Sequence, residues 1–420
     1  MSASVVVASV ALGVWTAIVA IVSGWALVEP ALRPWLSKVG ARLRPWTALA
    51  PIAPDDARVL VLRPCAGRDA NLQRNLRSIV DALSSFDRAK ARCVFAVHDE
   101  EDPAYRECVA AKAWLETHEI ECDVAVTRAV GPNHKVDQLA RAQAMAQRDG
   151  AFSIVLVVDS DVDLTGASLA KLVEPLVAGT HAALWSPVPE RGARPTLGDR
   201  ASVAILSGGL HAFAILSRLD PAGMVGKLFA VRSDALASVG GFVALQRHLG
   251  EDVELSRRLR HARMRVGAEV LGALSSAEGR TMAATRDRYA RWLLVVRAQR
   301  PMLLASYPML FFAAPLQALA SVALALVAPR VGLALLILIV CVRLTTAVAA
   351  RRASRLPWSW RATLIDPWMG DVMLAFSWAS ALRLREVAWR GSKLRFDREG
   401  LLVAEERASE ARASDARPSA

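Results

Sequence analysis

No C-x-x-C pair, no zinc-like ligand spacing and no internal repeat occurs in this chain. Its five cysteines, Cys65, Cys93, Cys108, Cys122 and Cys341, are odd in number and scattered. This excludes the redox and zinc motifs built on such spacings and leaves reduced thiols on the cytoplasmic side as the plain reading. Charge is missing from Val5 to Val28, and no Lys or Arg precedes that run. A stretch of this length spans a hydrocarbon core of about 30 Å, and a signal peptide would carry a basic start and a shorter apolar core. Also missing is a basic and aromatic module of the kind that reads nucleic acid. The net charge of +12, from 52 basic and 40 acidic groups, therefore calls for another explanation.

That explanation lies in where the basic residues sit. Arg33, Lys38, Arg42 and Arg44 come after the first apolar run; Arg351, Arg352 and Arg355, then Arg383, Arg385, Arg390, Lys393 and Arg395, flank later ones. Basic belts beside apolar helices suit anionic lipid headgroups and fix topology, with the N-terminus outside and the residues after the helix in the cytoplasm. With 54% of its 420 residues apolar, the chain has room for one globular domain and several membrane helices.

The pattern divides the chain into a membrane helix at 1–30, a basic juxtamembrane linker at 31–57, an α/β domain at 58–300, membrane helices at 301–383, and a basic segment with a disordered tail at 384–420. Within the domain, Val59–Leu62, Cys93–Val97 and Ile154–Val158 read as strands, and 72–84 and 135–147 as helices between them. That rhythm predicts a mostly parallel, Rossmann-like sheet covered on both faces, with ligands beyond the C-terminal strand ends. Ala201–Leu216 reads either as an interfacial helix or as a core helix. Pro301–Pro329 is expected to include one membrane helix, Val331–Ala350 a second interrupted by Arg343, and 364–382 a third or an interfacial segment.

Six places carry chemistry. Arg63-Pro64-Cys65-Ala66-Gly67 turns tightly after the first strand, as an ordinary βα turn or as a close approach to a nucleobase. Asp99 comes after the second strand and either accepts from a base or ribose or is a solvated acid. Asp159-Ser160-Asp161 ends a very apolar strand. Carboxylates there are partly desolvated and mutually repelling, which a Mg²⁺ or Mn²⁺ bridging phosphate oxygens would relieve; a simple turn is the alternative. Lys135 at a helix start holds a phosphate or is a surface lysine. Asp252, after Glu251 in a helix's first turn, is either a general base or a favourable charge on the helix dipole. Arg288 and Arg291 share one helical face beside Trp292, as diphosphate ligands or as a membrane-flanking anchor.

The order of these motifs resembles the GT-A-fold glycosyltransferases of the family 2 and family 21 type, most closely the ceramide glucosyltransferase group and its bacterial relatives. Three aspartate sites followed by (R/Q)-x-x-R-W match Asp99, then Asp159 with Asp161, then Asp252, then Arg288, Arg291 and Trp292. Further likeness lies at Pro64 with Gly67, Asp69, Asn75 and Leu76, at Lys135 with Leu139, and at Val387 to Phe396. The resemblance implies that Asp99 contacts uridine and that Asp159 and Asp161 serve a divalent cation and the diphosphate. Asp252 would be the catalytic base, with Arg288, Arg291 and Trp292 on the diphosphate and acceptor side. It implies an inverting transfer from a UDP-sugar to a lipid hydroxyl, by a multi-pass enzyme of the cell's inner membrane whose catalytic domain is cytoplasmic. The acceptor is ceramide-like, or alternatively a hopanoid or diacylglycerol. A processive polysaccharide synthase needs more membrane helices, and an inactive scaffold would not keep every carboxylate. His134 stands where the family often has proline, and Arg rather than Gln opens the last motif, a form found among ceramide enzymes.

Overall fold

Apolar, β-branched runs build the strands, and the pleat sends alternate side chains to opposite faces. The computed structural model describes residues 2–43, 46–67, 69–84, 86–192, 194–384, 386–389, 392–396 and 401–403. The tail from Glu405 to Ala420, with Arg44, Arg385, Arg390 and Gly391, lies outside the described residues.

The strands are β1 (Val59–Pro64), β2 (Ala91–Val97), β3 (Glu121–Val126), β4 (Ile154–Val158), β5 (Val162–Asp163), β6 (Ala183–Trp185), β7 (Glu190–Arg191), β8 (Leu228–Arg232), β9 (Val266–Ala268) and β10 (Leu274–Ser276). Seven of them form one sheet in the order β3-β2-β1-β4-β8-β6-β9. It is parallel except for β8, which runs antiparallel to both β4 and β6. Val59, Val61, Phe95, Ile154 and Leu156 face one core with Leu72, Leu76 and Cys108. Leu60, Leu62, Val94, Val155 and Val157 face the other, against Val136, Leu139, Leu255 and Leu259. Both faces are therefore covered, as expected of a GT-A domain. A small second sheet, β5-β10-β7, lies beyond the end of β4.

The four cysteines of the domain are buried and unpaired, and burial pushes the Cys93 thiol up to about 12. Such thiols are inert.

The first helix runs from Ala3 to Leu43, well into the stretch expected as a linker, and its apolar part is Ala3–Leu32. Pro329–Ala353 is the second helix long and apolar enough to cross a membrane. The stretch 301–329, expected to include one membrane helix, holds three helices: Pro301–Ala305, Tyr307–Leu310 and Ala313–Ala325. Proline lacks an N–H and is tolerated only in a first turn, so Pro301, Pro308 and Pro315 each restart the chain. The longest piece, at 13 residues, rises only about 20 Å. Ala201–Leu216 proves to be core: Leu197–Ser207 and Phe213–Leu219 are separate helices, broken at Gly208-Gly209 and mostly buried.

Arg343, the interruption in the second long helix, is buried. Its Nε and Nη2 donate to the two carboxylate oxygens of Asp371 at 2.7 and 2.8 Å. Nη1 donates to the Gly208 carbonyl at 2.6 Å and Nη2 also to that of Pro367 at 2.8 Å. One guanidinium thus ties the apolar helix to the Asp366–Arg383 helix and to the Gly208-Gly209 turn. Removing one member of such a pair leaves a buried, uncompensated charge, so Arg343→Met is expected to cost about 3–5 kcal/mol. Thermal unfolding in detergent checks this, with Arg343→Met/Asp371→Leu expected to recover most of the loss.

Candidate active site

The site is built from the loop after β4 outward. Arg63, on β1, is wholly buried and donates to the carbonyls of Asn75 at 2.6 Å, Val162 at 2.7 Å and Asp159 at 3.1 Å. Asn75 Nδ2 donates to the Ser160 carbonyl at 3.1 Å. The Asp159–Val162 backbone is thereby held before any ligand arrives, and both aspartate side chains project from a fixed loop.

Each aspartate has its own lysine. Lys135 Nζ lies 2.8 Å from Asp159 Oδ1, 3.0 Å from Glu251 Oε1 and 3.1 Å from the Gly226 carbonyl. Burial works against its ammonium, but Asp159 and Glu251 outweigh it and raise Lys135 above the ordinary lysine value. Lys227 Nζ lies 2.6 Å from Asp161 Oδ2 and donates to Ser275 Oγ at 2.7 Å, while Ser275 donates to Asp161 Oδ2 at 2.9 Å. Burial alone would raise Asp161; Lys227 reverses this and holds it well below the usual carboxylate range. Asp159 goes the other way, raised by burial and by the charge of Asp161 despite Lys135.

Asp252 starts the Glu251–His261 helix. Its Oδ2 accepts from the Gly226 N–H at 2.5 Å and its Oδ1 from that of Val253 at 2.8 Å. Burial, then repulsion from Glu251, pushes its carboxyl up to about 7, against the opposing pull of Lys135. A carboxylate near neutrality, oriented by two backbone donors, is suited to taking a proton.

On the other side Glu190, fully buried on β7, pairs with Arg288 and accepts from Arg280 at 3.1 Å. Ser202 donates to it and shares a hydrogen bond with the Tyr289 hydroxyl at 2.9 Å. The Arg288 guanidinium lies 4.7 Å from the Trp292 ring centre, and Trp292 stacks on Phe213 at 5.6 Å. Arg291 has no acidic partner at bonding distance among the described residues, and burial with the nearby Arg288 lowers its pKa.

The structure brings Lys135, Asp159, Asp161, Asp252 and Arg288 to one end of the sheet through Glu251, Lys227 and Glu190. No hydrogen bond or ion pair joins Asp99 to them among the described residues, although the neighbouring His98 ring stacks on His134 beside Lys135. Asp99 Oδ1 accepts from the Glu101 and Asp102 backbone at 3.0 and 2.7 Å, and Asp102 Oδ1 accepts from Gly67 at 2.8 Å. These bonds knit the turn after Pro64 to the end of β2, two strands from the paired aspartates.

Among the described residues no three His, Cys, Asp or Glu side chains form a metal cluster. Asp159 Oδ2 and Asp161 Oδ1 nevertheless have no protein partner among those residues, since each lysine engages only the other oxygen. Two free carboxylate oxygens fit a Mg²⁺-type ion, which takes one or two carboxylates and completes its shell with phosphates and water.

Paired carboxylates at the ligand edge of a mostly parallel sheet, with two lysines and an arginine–tryptophan pair, suit the handling of a phosphate donor. The family model for glycosyl transferase family 21 matches residues 11–402, and the chain belongs to that family. Among solved structures it is similar to a mannosyltransferase from Pyrobaculum calidifontis in complex with GDP-Man and Mn²⁺, at 19% identity over 88% of this chain and 98% of that one, TM-score 0.44. It is also similar to S. aureus TarS 1–349, at 12% identity over 83% and 99% of the chains, TM-score 0.34. A third is glucosyl-3-phosphoglycerate synthase from Mycobacterium tuberculosis with Mn²⁺, UDP and phosphoglyceric acid, at 17% identity over 57% and 79%, TM-score 0.33. Comparison with curated proteins gives no match.

Four residues of the site carry no signal of their own in the sequence. Glu190 and Ser275 lie on two- and three-residue strands, Lys227 precedes a strand instead of ending one, and Glu251 hides beside Asp252. Gly226 lies against the candidate base: a Cβ there would be 3.0 Å from both the Cβ and Oδ2 of Asp252. Gly226→Ala is expected to displace that carboxylate and lower turnover by about tenfold or more, with the melting temperature nearly unchanged. Steady-state kinetics and thermal unfolding of the variant together check this.

Proposed function

We propose that this enzyme is a membrane-bound, inverting glycosyltransferase that moves a sugar from a UDP-sugar to the hydroxyl of a ceramide-like lipid. The observation that carries the reading is Asp252, a carboxylate poised near neutrality and aimed by Gly226 and Val253 beside the Lys135–Asp159 pair. In the proposed step the lipid oxygen attacks the anomeric carbon while the bond from that carbon to the UDP oxygen breaks. The hydroxyl proton passes to Asp252, and UDP carries away the bonding electrons. No covalent enzyme intermediate is needed. Lys135, Lys227, Arg288 and the unpaired Arg291 are the cations suited to the diphosphate. A divalent cation on Asp159 and Asp161, once bound, would neutralise charge on the phosphate oxygens. Pro64 and Asp99 lie at the strand ends suited to the uridine.

The lipid acceptor is supported by the helix that carries Arg288 and Trp292. At its other end Arg297 donates to the carbonyls of Ala381, Leu382 and Leu384 at 2.5, 3.1 and 2.7 Å, so the motif is one helix removed from apolar segments. Two long apolar helices and the flanking basic residues suit an inner-membrane, multi-pass protein with this domain in the cytoplasm. Hopanoid and diacylglycerol acceptors use the same chemistry.

The test is transfer from a panel of labelled UDP-sugars to bilayers containing each lipid, with lipid analysis of cells with and without the chain. A glycolipid of inverted anomeric configuration is expected; UDP release with no lipid product would sink the acceptor reading. Asp252→Asn is expected to lower kcat at least about a hundredfold while UDP binding persists. Asp252 must be ionised to act and titrates at about 7, so kcat/KM should fall as pH drops through that value. In Glu251→Gln the loss of repulsion should move this acid limb to lower pH, and a limb that stays in place would remove Asp252 as the titrating group.

A further inference from the structure

Lys135 and Lys227 each lie beside one aspartate, but their surroundings separate them. Lys135 donates to the Gly226 carbonyl and forms ion pairs with both Asp159 and Glu251. Lys227 is buried at 6% exposure yet has only Asp161 and Ser275. One of its three N–H donors has no partner among the described residues. Asp161 Oδ1 accepts no hydrogen bond among the described residues, and Arg288 with its partner Glu190 lies across the short β7–β10 pair.

We propose that Lys227 is a positioning residue that occupies Asp161 until a diphosphate arrives, so that divalent cation and nucleoside diphosphate bind cooperatively. In the free enzyme its charge cancels that of Asp161, and a cation approaching Oδ1 meets a neutral pair. A diphosphate accepts the spare N–H and draws the ammonium toward its own oxygens. It also brings negative charge to the same spot, and Asp161 recovers its full charge for the cation. Reciprocally, the bound cation raises the affinity for the diphosphate by the same factor. Lys135, held on three sides, does not take part in this exchange. The inference rests on the UDP-sugar donor only in requiring a diphosphate.

The experiment is Mn²⁺ binding to the full chain in detergent, monitored by electron paramagnetic resonance, alone, with UDP and with inorganic pyrophosphate. In the wild type each diphosphate should tighten Mn²⁺ by about tenfold or more, after correction for Mn²⁺–diphosphate complexes in solution. Lys227→Met should bind Mn²⁺ about tenfold more tightly without diphosphate, bind UDP more weakly, and lose the coupling. Lys227→Arg should retain coupling. Ser275→Ala leaves no unpaired charge and, by loosening the lysine, should tighten Mn²⁺ severalfold without diphosphate; it serves if Lys227→Met does not fold. Unchanged Mn²⁺ affinity in both Lys227→Met and Ser275→Ala, or no coupling in the wild type with either diphosphate, overturns the proposal. Coupling with pyrophosphate but not UDP upholds Lys227 and removes the UDP-donor reading.

Discussion

Two lysine ammonium groups at the ligand edge of the sheet, Lys227 buried and Lys135 half-buried, are what the rest of the site depends on. Asp159, Asp161, Glu251 and Asp252 crowd together there, where unpaired like charges would repel. Lys135 spans Asp159 and Glu251, and Lys227 holds Asp161, so the crowded carboxylates are each met by positive charge. The fold supplies these lysines by two different routes. One opens a helix that packs on the second core, and the other stands at the start of the one reversed strand. Because that strand runs backwards, its beginning meets the ends of its neighbours.

The same reversal decides how much of the site is legible in the chain. Strands β1, β2 and β4 announce themselves by apolar runs, and the carboxylates after them obey the rule that ligands gather beyond strand ends. Asp159, Asp161 and Lys135 were therefore legible, and the structure joins them. Lys227 was not, since a rule for the C-terminal ends of strands is blind to a residue at an N-terminal end. Glu190 was not legible either: a two-residue strand has no period, and only the tertiary pairing with Arg288 and Arg280 gives a buried acid its meaning. Arg288 and Trp292 were legible as a motif, but the aromatic wall from Phe213 was out of reach of local pattern.

Among the apolar segments, length and absence of charge matched the helix Pro329–Ala353 but did not foresee the breaks within 301–329. An uncharged run satisfies a hydropathy rule whether or not its backbone can stay helical, and three prolines decide against it. Arg343 looked like a defect in a membrane helix. With Asp371 and two carbonyls around it, it is a junction among three parts of the chain.

The Met282–Gln299 helix bears Arg288 and Trp292 near its middle and Arg297 near its end, the latter gripping the last carbonyls of the Asp366–Arg383 helix. About nine residues, or roughly 13 Å of rigid rod, separate the two arginines. No seam therefore runs between catalytic and apolar halves along which the chain could be cut to yield a free-standing enzyme. A fragment ending at residue 300 would keep Asp99 through Trp292 and lose the carbonyls that Arg297 grips.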